Sequence, residues 1–345
     1  MTRSRNDGHL KPADLERELE RRADAVARVL WPRYVATKDY LKDAYYPWVQ
    51  ATCPYFTDHG EKHINSVIGV AGAMLGRRVQ HLSSVEVFLL LAGIIWHDVG
   101  MVRDRTEHAS ESAKILNDIR PLASPDPTVQ RLISEIVKAH TGKGGLEDPR
   151  DEDNVPISTT TESVRPRAIA ALLRFADEVS ETRSRVSMDL LSQVPAGQQI
   201  YWQYAAAISG SRPDPARERV VITVELQKAA VLQRYACSSF GNRLDGDGTL
   251  SLIEYVVCRL EKINNELAYC APHMAPLVTV REVEVRLTML DGDERQTNYD
   301  NISVVMAGMA GMQAGSTGIP SIALFDEFFK RYPEWHPARL KEVVS

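Results

Sequence analysis

The 345-residue sequence has little cysteine: only Cys53, Cys237, Cys258 and Cys270, with no CxxC pair among them. That excludes a disulfide-built scaffold and the common zinc ribbons, and it predicts core thiols in a reducing compartment. Long apolar runs are missing too. The longest, Val87 to Trp96, is too short to cross a bilayer as a helix and reads as a buried helix. The opening MTRSRNDGHLKP is charged, with no apolar stretch behind it, so no signal peptide and a cytoplasmic protein are expected. Charge of one sign is absent as well. Forty-one Lys and Arg against 46 Asp and Glu leave a formal charge of -5, which excludes a broad electropositive face for indiscriminate duplex binding. A local pocket of Arg or Lys for a phosphate stays open. No internal repeat is evident.

What is present is core material: 44% of residues are hydrophobic. The length predicts one large domain with an appendage, or two domains. Residues 13–30 have helical spacing, followed by a broken stretch rich in aromatics and proline from Trp31 to Tyr55. Four further helices are predicted at about 61–77, 83–97, 107–120 and 126–140, with Ser83, Ser84 and Glu86 starting the second and Pro125 and Asp126 the fourth. Residues 141–162 are crowded with turn formers and read as a long loop. Another helix spans about 165–182, so the chain as far as position 190 reads as all-helical. The pattern then changes: VVITVEL at 220–226 and VTVREVEVRLTML at 278–290 have strand character, with a helix at 249–269 between them. The fold class is therefore mainly α, a helical bundle with an appended or inserted small α+β part. The divisions expected are an N-terminal helical extension (1–54), the helical domain (55–190), the mixed part (195–290) and a C-terminal loop and short helix (291–345). The aromatic helix at 320–332 could bury in a homodimer or fold back on its own chain, and the C-terminal part could take a partner protein.

Six of nine histidines fall between residues 59 and 140. His97 and Asp98 end the apolar helix LLLAGIIW. Two adjacent side chains on a helix point about 100° apart and share a metal only at its end, and burying such a pair with no cation is costly. His63 lies upstream with His59 four residues before it, His108 and His140 lie downstream, and Asp177 is the polar member of an apolar ridge in ALLRFADEVSE.

In this order, H, HD, H, H and D, the chain resembles the HD-domain superfamily of metal-dependent phosphohydrolases. HDVGM, then EH, AH and FADEVSETRSR, is similar to its phosphodiesterase and RNase-like branch, and DHGEKH with HDVGM to HD domains of bacterial conflict systems. The likeness covers roughly residues 55–185. It implies that His63, His97, Asp98 and Asp177 hold a first metal and that His108 and His140, with Asp98 as the bridge, complete a second. The chain departs from the family at Met101, where many members carry a lysine. It also lacks the HHE and GYP signatures of cyclic dinucleotide phosphodiesterases, since TGKGG follows His140.

The reaction so implied is hydrolysis of a phosphoester or phosphoanhydride, of a nucleotide or a nucleic-acid end, by a metal-activated hydroxide. Mixed His and carboxylate ligands suit two divalent ions of Mn or Fe, then Co or Ni, and Mg least. Lys62 and Lys143, beside the site histidines, are the favoured catalytic cations. Arg103, Arg105, Arg174, Arg183 and Arg185 are further phosphate contacts. His59 or Glu61 would protonate the leaving group, and Glu178 would orient a ligand. Tyr201, Trp202 and Tyr204 would stack a base. Two other readings keep the same ligands: a nucleotide-sensing or partner-binding module with little turnover, and a di-iron oxygenase.

Overall fold

Asp14 and Asp24 each accept a hydrogen bond from a backbone N–H three residues on, and so start two helices where the sequence suggests one. These are α1 (Leu15–Arg21) and α2 (Ala25–Ala44). The computed structural model describes residues 14–119, 124, 126–141, 154–157, 160, 162–240, 248–292, 294–295, 302–307 and 324–344. The stretch expected to be broken is helical instead: α2 runs through Pro32, and α3 (Tyr46–Thr52) begins with Pro47 in its first turn. Burial accounts for the difference, because Leu30, Tyr34, Thr37 and Leu41 form one buried stripe along α2. Packing along that stripe outweighs one missing backbone donor at Pro32.

The helices α4 (Glu61–Leu75), α5 (Ser84–Trp96), α6 (His108–Asp118), α7 (Pro127–Ala139) and α8 (Pro166–Glu178) follow close to their expected limits. All of α5 is buried, and the bundle is built around it. By length and composition Ser84–Val102 passes for a membrane span, yet 94% of its most apolar window is buried in the bundle. Ser83 and Glu86 form a reciprocal cap at its start. Glu86 is itself buried and is held by Arg165, whose Nε and Nη2 reach it at 2.7 and 2.8 Å. Arg165→Met leaves that buried carboxylate without its counter-ion and is expected to lower stability by roughly 2 kcal/mol, read from urea unfolding.

The N-terminal part expected to be all-helical is not free of strands, because β1 (Val155–Pro156) and β2 (Ser163–Val164) pair in a short antiparallel ladder. Beyond them come α9 (Ala196–Ala207), β3 (Ile208–Asp214), β4 (Arg219–Gln227), α10 (Lys228–Val231), β5 (Arg234–Ala236), β6 (Thr249–Ser251), α11 (Leu252–Met274), β7 (Glu282–Asp291), β8 (Glu294–Arg295) and β9 (Ile302–Ala307). The main sheet runs β3-β4-β7-β9, with β8 a hairpin on the end of β7. Strands β4 and β7 are parallel, in register from Arg219↔Glu282 to Gln227↔Leu290, so their connection must cross over. That crossover includes α11, which packs against both the sheet and α8 and thereby ties the mixed part to the helical one. Strand β9 falls where only loop was expected. At the C-terminus α12 (Leu324–Arg331) and α13 (Pro337–Val344) close the chain. Phe328 and Trp335 are fully buried within their own chain, so the aromatic helix folds back. The sequence also has a run of small residues, AGMAGMQAGSTG, which from position 308 on lies outside the described residues.

Candidate metal centre

Five helix ends meet at one point. His63 sits in the first turn of α4, and His97 caps the C-terminus of α5. His108 opens α6, His140 caps α7, and Asp177 is the penultimate residue of α8. Asp98 leaves the helix with φ -102 and ψ 0, and the short 3-10 turn Val99–Val102 follows. That break lets Asp98 and its neighbour His97 face the same point, which adjacent positions inside a helix cannot do.

The Asp98 carboxylate divides its two oxygens between two ligand groups. Oδ2 lies 3.2 Å from His97 Nε2 and 3.6 Å from His63 Nε2. Asp177 Oδ1 completes this group at 3.1 Å from His63 Nε2 and 3.7 Å from His97 Nε2. Oδ1 of Asp98 lies 3.4 Å from His108 Nε2 and 3.8 Å from His140 Nε2. The two groups are His63, His97, Asp98 and Asp177, then Asp98, His108 and His140.

A shared local device aims the rings. His97, His108 and His140 each donate Nδ1–H to the carbonyl three residues earlier, at Ile94, Arg105 and Val137. Each Nε2 therefore faces the centre, as a lone pair whenever the ring is neutral. His108 and His140 Nε2 are 3.1 Å apart and His63 and His97 Nε2 are 3.2 Å apart. Lone pairs that close repel unless a proton or cation lies between them, so the donor set fits a divalent cation in each group. Ser112 supports the turn, its Oγ accepting from Gly100 N at 2.7 Å and donating to the His97 carbonyl at 2.9 Å.

Burial opposes charge on His63, His97, Asp98, His108 and Asp177, and the carboxylates overrule it at His97. Although burial lowers His97, Asp98 and then Asp177 lift it to about 9. Burial alone would raise Asp98, but His97 holds it well below the ordinary carboxylate range. Asp177 is likewise held low, against its burial, by His63 and His97. Burial, then Arg185, depresses His63, and burial depresses His108. Without a cation His97 therefore carries a proton at neutral pH, and a ligating Nε2 must lose it. Metal uptake at pH 7 should release close to one proton per chain, and affinity should rise about tenfold per pH unit until pH approaches 9. Calorimetric titration with Mn²⁺ in two buffers of different ionisation enthalpy measures that release.

Asp98, His108, His140 and Asp177 form one wall of a cavity of about 710 Å³, the size of a small-molecule site. His59 lines it, with its ring 5.6 Å from that of His63 and its Nδ1 bonded to the Thr57 carbonyl. Burial, then Arg185, keeps its ring neutral, so His59 holds no spare proton for a leaving group at neutral pH. Glu61, the alternative donor, is paired with Lys42 at 2.9 Å and faces a different groove together with Lys62. The single step along α4 from Lys62 to His63 turns the side chain by about 100°, which is why Lys62 misses the cavity. Lys143 lies outside the described residues.

Arg103 points away and pairs with Glu111 and Asp118. Two residues on, Arg105 lines the cavity, its guanidinium 4.6 Å above the Phe56 ring. Met101, at the family's lysine position, is fully buried beside Val49 and Cys53, where a cation could not reach phosphate. Arg174 lines the cavity but is gripped by Glu266 through two hydrogen bonds, 2.7 and 2.9 Å. Arg183 pairs with Glu225, while Arg185 bonds the Asp58 carbonyl and Glu181. Tyr201 and Tyr204 line the cavity. Trp202, one position round the helix from Tyr201, is buried with its Nε1 donating to the Tyr55 carbonyl. Glu178 orients no histidine; it pairs with Arg259 at 2.9 Å and Lys262 at 2.7 Å.

Arg259, Lys262 and Glu266 come from α11 and were not singled out from the sequence. A signal was there: Tyr255, Arg259, Lys262 and Glu266 are spaced i, i+4, i+7, i+11 and so fall on one face of the helix.

A family model described as HD-CE matches residues 53–245, more than half of the chain. The matched region runs past position 190 and takes in α9, β3, β4 and β5. No curated protein and no solved structure matches the chain.

Proposed function

The chain belongs to the HD-CE family, and from that premise we propose that it is a metal-dependent phosphohydrolase or phosphodiesterase acting on a nucleotide or a nucleic-acid end. One observation carries the proposal: Asp98 presents one oxygen to each of two ligand groups, the arrangement a binuclear hydrolytic centre requires. Two divalent ions, Mn or Fe before Co, Ni or Mg, suit four imidazoles and two carboxylates. When bound, they supply Lewis acidity toward a phosphoryl oxygen and lower the pKa of water.

The remaining work falls to the chain's own residues. Arg105, exposed and with no carboxylate partner among the described ion pairs, is the cation available for a phosphoryl oxygen. It takes the role that Lys62 and Arg103 cannot reach. His59, neutral and fixed through Nδ1, offers Nε2 to the cavity as a hydrogen-bond acceptor, which suits it to orient an attacking water rather than to protonate the product. The leaving oxygen would then take its proton from solvent in the cavity. Four buried cysteines, none of them in a disulfide, favour a reducing compartment such as the cytoplasm.

The test is a screen of nucleotides and short oligonucleotides for Mn²⁺- or Fe²⁺-dependent release of phosphate or nucleoside monophosphate, beside His97→Ala. Turnover that needs both the metal and His97 supports the proposal. Tight nucleotide binding with no turnover on any substrate would replace it with the sensor reading.

A further inference from the structure

The cavity has a second end, built without any metal ligand. It is formed by two helices of the mixed part and by the segment 238–240. Helix α9 contributes Gln198, Tyr201 and Tyr204 at three-residue spacing, and α11 contributes the stripe from Tyr255 to Glu266. The rings gather around Tyr255: Tyr201, Tyr204 and Phe240 have centroids 5.7, 5.5 and 5.8 Å from it, all edge-on. Polar atoms rim this group. Tyr201 Oη bonds the hydroxyls of Ser238 and Ser239, both at 3.0 Å.

Two features of this end lack an explanation in packing alone. The Gln198 side chain lines the cavity, and its Oε1 is a buried acceptor with no hydrogen-bond partner. Phe240 holds φ at 58, in the left-handed region that bulky residues rarely occupy, and that backbone sets its ring in the cavity wall. Charge points the same way. Apart from the metal ligands, the wall carries five cations (Arg105, Arg174, Arg185, Arg259 and Lys262) against three carboxylates, Glu178, Glu181 and Glu266. An anionic group is thus favoured inside a cavity whose far end also holds an aromatic cluster edged with donors and acceptors.

We propose that Phe240, Tyr201 and Gln198 form a nucleobase subsite: Phe240 and Tyr201 give the base a ring surface, and the Gln198 amide reads its donor–acceptor edge. The mixed part thus selects what the metal centre acts on. This rests on the phosphohydrolase reading for the position of the phosphate, but its test does not depend on turnover. Trp202, which the sequence suggested for stacking, is replaced in that role by Phe240, from the segment that follows β5.

The test is calorimetric binding to the metal-loaded full-length chain. The probes are the 5′-O-thiomonophosphates of adenosine, guanosine, cytidine and uridine, with inorganic thiophosphate as the base-free comparator. At least one nucleotide should bind about tenfold or more tightly than thiophosphate, the scale of one stacked base. Phe240→Gly, which removes the ring and relaxes the left-handed backbone, and Gln198→Ala, at a half-buried helix position, should each erase most of that advantage. Both should leave thiophosphate affinity unchanged, which also shows that they fold. Gln198→Ala should in addition flatten the preference among the four bases, an effect that simple loss of packing would not give. If no nucleotide outbinds thiophosphate, or if both variants keep the full advantage, the subsite is overturned. Metal-dependent phosphate release judges the hydrolase reading separately, because binding of a base cannot produce it.

Discussion

Asp98→Asn is expected to empty both metal positions and to lower phosphoester hydrolysis by on the order of 1000-fold or more. The substitution keeps the shape of the side chain and removes its charge. It also turns an NH₂ group toward one of the two imidazole pairs, where a lone pair is needed. Because one carboxylate serves His63 and His97 on one side and His108 and His140 on the other, the loss is shared by both groups. Each factor of ten in rate corresponds to about 1.4 kcal/mol of transition-state stabilisation, and a binuclear centre contributes several times that. Initial rates at saturating Mn²⁺ measure the drop. By contrast, His108→Ala should remove metal from the second position alone.

Gly100→Ala is the largest structural effect expected outside the ligands. A Cβ at this position would lie 2.1 Å from the His108 carbonyl oxygen and 2.4 Å from the Ser112 nitrogen, both of them backbone atoms. Neither can rotate away, so the turn after Asp98 and the start of α6 must separate. Forced overpacking of this kind costs about 3 kcal/mol or more. Separation also carries His108 away from Asp98 and breaks the Ser112 bonds to Gly100 and His97. The variant should unfold at markedly lower urea concentration and keep one metal position in place of two. Thermal and urea unfolding, with metal analysis of the folded fraction, test both parts.

The cluster of His63, His97, Asp98, His108, His140 and Asp177 was expected from a resemblance in the order of these residues, and the fold brings them together because each sits at or next to a helix end. His97-Asp98 closes an apolar run, His108 and His140 flank amphipathic helices, and Asp177 interrupts an apolar ridge. The cations were harder. Lys62 stands next to a ligand in sequence, yet a helix turns consecutive side chains by about 100° and sends it into another groove. Arg105 and Arg103 look equivalent on paper, and only the fold of the turn after Asp98 separates them. The far wall of the cavity was out of reach for a different reason. Arg259 and Lys262 meet Glu178 only through the tertiary fold, and nothing local to α11 announces which helix its polar stripe will face. Helix α2 shows the reverse failure: Pro32 reads as a break, and tertiary burial of Leu30, Tyr34 and Leu41 overrides it. Strand β9 reads as loop because its apolar stretch, Ile302–Ala307, is short, and pairing with β7 makes it a strand.

If Asp98 joins two metal positions, metal content must depend on it at both. Protein purified without chelator and then equilibrated with Mn²⁺ or Fe²⁺ should hold two ions per chain by mass spectrometry. The His108→Ala, His140→Ala double variant should hold one, and Asp98→Ala close to none. If the unaltered protein binds no divalent transition metal after reconstitution, or if Asp98→Ala retains two ions, the centre described here is wrong.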